Sequence, residues 1–176
     1  MIMPRGQPLL LPARPWFIWL TLLAALALNL LQNMVLWGRA AWQPDVLAVV
    51  LVFWIIHQPQ RVGLGLAFAL GLLIDVHHSA LLGQHALSYT VLGFLAVGIH
   101  RRLLWFSVPS QAAQVLPLFL AAHAVALLAR LLTGAEWPGW PILLAPLLQA
   151  LLWPLVSVVL LLPQRQPPDP DENRPL

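Results

Sequence analysis

The sequence is poor in charge and has no cysteine. Of 176 residues, 9 are basic and 6 acidic, so charged side chains make up 9% of the chain, against about 25% in an ordinary soluble domain. So few charges cannot cover a water-exposed surface, which excludes a soluble globular protein. A 60% apolar fraction equally excludes a disordered chain, which needs low hydrophobicity. Without cysteine there is no disulfide frame, thiolate metal site or cysteine nucleophile. Lysine is missing too, since all nine basic residues are arginine. The pI of 11.1 therefore reflects scarce carboxylates on a chain of net charge +3, not a nucleic-acid-binding patch.

Catalytic constellations are also wanting. No serine sits in a G-x-S-x-G context. Asp45, Asp75 and Glu136 are the acids that precede the C-terminal tail, too few for paired-carboxylate chemistry. Gly63-Leu64-Gly65 lacks the lysine and the strand-to-helix setting of a phosphate loop. Asp75, His77 and His78 have residue types that suit zinc, but the two histidines are adjacent and no HExxH pattern accompanies them. Neither an enzyme nor a metal or cofactor site is expected.

What is present is a succession of apolar blocks: 16–37, 42–57, 62–76, 80–100, 111–132 and 141–162. A spanning helix takes about 20 residues, so the pattern predicts an all-α polytopic membrane protein with six transmembrane helices over 16–162. Polar, proline-rich tails lie at 1–15 and 163–176, both expected in the cytoplasm. Ala25-Leu26-Ala27 has the form of a signal-peptide cleavage site, but the apolar run continues to Leu36, too long for a signal core. Blocks two and three are short, and His57-Gln58-Pro59-Gln60-Arg61 is a turn signal between them. They read as a hairpin of two short helices in a thinned bilayer, with a re-entrant hairpin as the alternative.

Arginines orient the chain. With the N-terminus inside and six crossings, residues 5, 14, 61, 101, 102, 165 and 174 face the cytoplasm and residues 39 and 130 face out, seven against two. A five-helix reading reverses the bias. Seven of the nine tryptophans fall at the expected interfaces, while Trp54 and Trp153 lie deeper and are expected to pack between helices.

Polar residues inside lipid are costly and mark candidate sites. Asn29, Gln32 and Asn33 share a face near the outer end of the first helix. Asp75 ends the third, with His77 and His78 expected in the loop that follows, and Gln84, His85 and Ser88 open the fourth. The outer-leaflet cluster expected from these is Asn29, Asn33, His78, Gln84 and His85: a small-ligand or partner site, or a hydrogen-bond network that fixes packing. Gly63, Ala67 and Gly71 recur every four residues, with Asp75 continuing the spacing. Such a stripe admits a close helix neighbour, internal or from a partner. Arg101 and Arg102, followed by Leu-Leu-Trp-Phe, form a cytoplasmic interfacial step that anchors on anionic lipid or docks a cytoplasmic protein. His123 and Gln149 are positioned mid-helix to serve carbonyls freed by Pro117, Pro146 and Pro154, and Arg130 is expected to snorkel.

The run RVGLGLAFALGLLIDVHHSALLGQHALSYTVLGFLAVGIHRRLLWF, with PDVLAVVLVFWIIHQPQ before it and LLWPLVSVVLLLPQR after it, resembles the rod shape-determining protein MreD family. The resemblance covers about 16–165 and is most specific from Gly71 to Leu87. It implies a non-enzymatic inner-membrane member of the bacterial cell-elongation machinery. The partners it implies are MreC foremost, with MreB, RodA and its penicillin-binding transpeptidase, in the service of lateral-wall peptidoglycan synthesis. Lipid contact is expected throughout, nucleic acid is not, and a homo-oligomer is left open. The implied fold is similar to the six-helix substrate-binding subunits of energy-coupling vitamin transporters. That likeness supplies the competing expectation of a small-molecule-binding transporter subunit.

Overall fold

The computed structural model describes residues 14–32, 41–78 and 82–164. These form six α-helices: α1 Pro15–Leu31, α2 Val46–His57, α3 Leu64–His78, α4 Gln84–Leu103, α5 Val108–Leu132 and α6 Leu144–Leu161. No strand occurs among the described residues. Local chemistry explains most boundaries. Proline stands in the first turn of α1 and of α5, where its missing N–H costs no helical bond. Asp45 caps α2 by accepting from the Ala48 N–H at 3.1 Å, which, with Pro44 before it, starts the helix at Val46 and not at Trp42. The break after α2 is a turn closed by Arg61 and Val62 N–H groups on the Gln58 carbonyl.

The centre of the bundle is α2. Every residue from Leu47 to Ile56 is buried, as expected of a helix that is apolar all round. It packs against α1, α4 and α6. Its 12 residues span only about 18 Å, and its neighbours cover its flanks. The two short helices expected of blocks two and three are found on either side of the turn, but they do not pack as a hairpin: past the turn, α3 parts from α2 and lies along α4 in the most extensive helix pairing of the bundle. A second correction concerns His77 and His78, which are the last turn of α3 and not a loop.

Trp54 and Trp153 are fully buried. Trp54 Nε1 donates to Thr21 Oγ1 of α1 at 2.9 Å, and Trp153 Nε1 donates to Gln111 Oε1 of α5 at 3.2 Å. Phe53 lies between them, its ring centroid 5.1 Å from Trp54 and 6.3 Å from Trp153. The outer faces are different. Trp16, Trp19, Leu23, Phe68, Phe94, Leu128, Leu151 and Leu155 are all exposed, an apolar exterior that suits lipid and not water. By length and composition, α5 and the stretch Trp140–Gln164 are sufficient to cross a membrane, while α1, α2 and α3 are apolar but shorter.

Candidate functional site

The ends of α1, α3 and α5 meet the starts of α2, α4 and α6 at one end of the bundle, and the polar side chains gather there. The α3–α4 junction is built on a close approach. A Cβ at Gly71 would lie 2.4 Å from Ala86 Cα and 2.6 Å from both Ala86 N and the His85 carbonyl oxygen. Only glycine lets these backbones touch. One turn further on, Asp75 is completely buried. Its carboxylate accepts the backbone N–H groups of Gly83, His85 and Ala86 at 2.9, 2.8 and 3.2 Å, and His85 Nδ1 at 2.7 Å. These amides are unpaired donors at the start of α4, and a negative charge there is favoured by the helix dipole. Asp75 is thus the N-terminal cap of α4, delivered from another helix. Gly83, with φ 103°, turns the chain into this cap.

Asp45 is the second hub. Besides Ala48 N–H, its carboxylate accepts Asn29 Nδ2 of α1 at 2.8 Å and the Tyr89 hydroxyl of α4. Its backbone carbonyl accepts Gln149 Nε2 of α6 at 3.2 Å. One residue therefore ties the start of α2 to three other helices. Ser88 adds a link by donating to the Ala122 carbonyl of α5 at 2.8 Å.

Above these hubs lies a cavity of about 480 Å³. Asn29, His78, Gln84 and His85 of the expected outer cluster line it; Asn33 lies outside the described residues. Asp45, Tyr89, His123, Arg130 and Gln149 join them in its polar wall, with Gln43, Ser88 and Thr133. Asp75 does not line it, because its oxygens are spent on α4. Sequence reasoning missed Asp45 and Tyr89 as members. The signal for Asp45 was present: an aspartate just before an apolar run is an N-cap. His123 and Gln149 do not serve proline-freed carbonyls. His123 Nδ1 pairs with the Phe119 carbonyl at 2.9 Å and Gln149 reaches Asp45. Among the described residues, no three His, Cys, Asp or Glu side chains are grouped to hold a metal ion.

Residues 13–162 match the family model of rod shape-determining protein MreD, a span that contains all six helices. The chain belongs to the MreD family. A protein of Haemophilus influenzae named rod shape-determining protein MreD is 24% identical to it over 144 residues, covering 81% of this chain and 89% of that protein. No solved structure matches. The protein is accordingly a membrane protein of the rod-shape system.

In this MreD-family chain, the stripe on α3 is divided. Ala67 is fully buried and lies near Gly93 of α4, and Gly71 abuts Ala86, so both are occupied within the molecule. A Cβ at Gly63 would have nothing within 4 Å. Arg101 and Arg102 are exposed at the opposite end of the bundle from the cavity, beside Trp105, which is 89% exposed, and Phe106.

Proposed function

We propose that this MreD-family chain is a non-enzymatic, multi-pass component of the bacterial inner membrane that binds MreC and helps to organise lateral-wall peptidoglycan synthesis within the elongation complex. The observation that supports this reading most is the family match across the entire bundle. Three of the five connections between helices are six residues or fewer, so association runs mainly through helix faces and helix ends. Large apolar side chains on the outside of α1, α3 and α6 offer ground for a partner helix, where close packing substitutes for a hydrophobic drive that lipid removes. The topology proposed with it is six crossings with both termini in the cytoplasm. That arrangement sets Arg14, Arg61, Arg101 and Arg102 inside and Arg130 outside.

The experiment is co-purification with MreC from membranes, using intact MreC and a form whose transmembrane helix is replaced by an unrelated one. Loss of capture with the replaced helix is the expected result. Undiminished capture refutes a helix-face interaction. The cavity favours a second reading, a ligand-binding subunit related to vitamin transporters. Depletion in a rod-shaped host separates the two: rounding of the cells supports the first, and unchanged rods with lost uptake of a nutrient support the second.

A further inference from the structure

The cavity at the Asp45 end holds charges that form no ion pair among the described residues. The Asp45 carboxylate is held by neutral donors, namely the Ala48 N–H, the Asn29 amide and the Tyr89 hydroxyl. The ion pair found among the described residues is Asp75 with His85, so no described cation pairs with Asp45. Arg130 is exposed at the same cavity and makes no ion pair among the described residues. A carboxylate and a guanidinium thus face one space, and among the described residues neither has an ion-pair partner.

Hydrogen bonding narrows the chemistry further. Gln149 is fully buried. Its Nε2 must face the Asp45 carbonyl at 3.2 Å, because a carbonyl oxygen only accepts. That fixes the amide, and Oε1 is left buried with no donor on a residue that lines the cavity. His123 is constrained in the same way. Its Nδ1 donates to the Phe119 carbonyl, so the neutral ring carries an acceptor at Nε2. The wall beside Asp45 therefore asks for N–H donors, while Arg130 asks for an anion.

We propose that this cavity binds a zwitterion carrying a primary ammonium and an anionic group, the ammonium donating to Asp45 and Gln149 Oε1 and the anion pairing with Arg130. A bare anion leaves the Gln149 oxygen unmet and is repelled by Asp45. A bare cation leaves Arg130 unmatched. A quaternary ammonium has no N–H to give. The cavity's volume of about 480 Å³ lies within the usual range for small-molecule sites. Two sources supply the required group: the headgroup of an ethanolamine phospholipid and a free α-amino acid.

The test uses the full-length protein in a non-ionic detergent. Native mass spectrometry reads retention of added phosphatidylethanolamine, phosphatidylcholine and phosphatidylglycerol. Thermal shift reads stabilisation by glycine and by alanine. The site predicts either a preference of about tenfold for phosphatidylethanolamine over phosphatidylcholine, which assigns the lipid source, or stabilisation by the amino acids, which assigns the free source. In either case Arg130→Gln removes the effect. Because Arg130 is exposed, that variant is expected to melt as the unmodified protein does in the absence of ligand. Gln149→Leu is the second variant and loses the same discrimination between ethanolamine and choline. Equal retention of the three lipids with no amino-acid effect overturns the proposal. So does preference for phosphatidylglycerol, or an ethanolamine preference unchanged in Arg130→Gln.

Discussion

Replacing Gly71 by alanine adds one methyl group at the tightest point of the α3–α4 contact. The new Cβ would stand 2.4 Å from Ala86 Cα and 2.6 Å from Ala86 N and the His85 oxygen, whereas non-bonded carbons rest at about 3.5–4.0 Å. All three obstacles are backbone, so no rotamer change relieves them, and the helices must separate by about 1 Å. Overpacking of this kind costs about 1–3 kcal/mol. The same separation lengthens the Asp75 bonds to Gly83, His85 and Ala86, now at 2.8–3.2 Å, toward distances where hydrogen bonds cease. Hydrogen bonds to a charged group contribute about 1.5–3 kcal/mol each, so losing one of them brings the expected total to about 3–5 kcal/mol. The control is Gly65→Ala on the same helix, where a Cβ meets nothing within 4 Å. It should be neutral or stabilising by up to about 1 kcal/mol through helix propensity. Intrinsic tryptophan fluorescence during thermal unfolding in detergent compares the two. If Gly71→Ala melts at or above Gly65→Ala, the close approach does not hold α3 to α4, and Asp75 is not positioned by it.

Asp75→Ala should destabilise by about 3–5 kcal/mol, since it strands three N–H groups at the start of α4, the buried one of Ala86 among them; Asp75→Asn should recover part of that loss, and melting curves for both decide it. Trp54→Phe should cost about 1 kcal/mol with the ring cluster retained, because Thr21 still donates to the Ile18 carbonyl; a loss as large as that of Trp54→Ala argues against the hydrogen-bond assignment. Paired Arg101→Gln and Arg102→Gln should leave the melting temperature unchanged, as both side chains are exposed, and should weaken binding to anionic vesicles by about 1 kcal/mol per arginine; unaltered vesicle binding removes the interfacial role. Reporter fusions after residue 106 should signal cytoplasm and those after residue 136 the external side, and the reverse pattern refutes the proposed orientation.

The family resemblance and the apolar blocks were readable from the chain. Trp54 and Trp153 were readable as interior residues because they stood away from block ends. The role of α2 was not. Its ten consecutive buried residues carry the same all-apolar pattern that a lipid-exposed span would carry, since hydrocarbon and protein interior make one demand on side chains. Periodicity cannot distinguish the two, and only the packing of α1, α4 and α6 around α2 decides it. Likewise, the small residues of α3 announced a close contact without naming the neighbour, which proves to be α4 within the same chain.

Sequence alone determined the solvent: with 9% charge and 60% apolar residues, transfer free energy leaves lipid as the surroundings. It also placed the starts of α1, α2 and α5, where proline or aspartate acts on the backbone beside it. The tertiary structure alone decided what the polar residues are for. Asp75 caps a helix that begins nine residues later, and Asp45 joins α2 to side chains 16, 44 and 104 positions away. Such pairings arise only when helices are set side by side, since a hydrogen bond depends on distance in space and carries no trace in linear spacing.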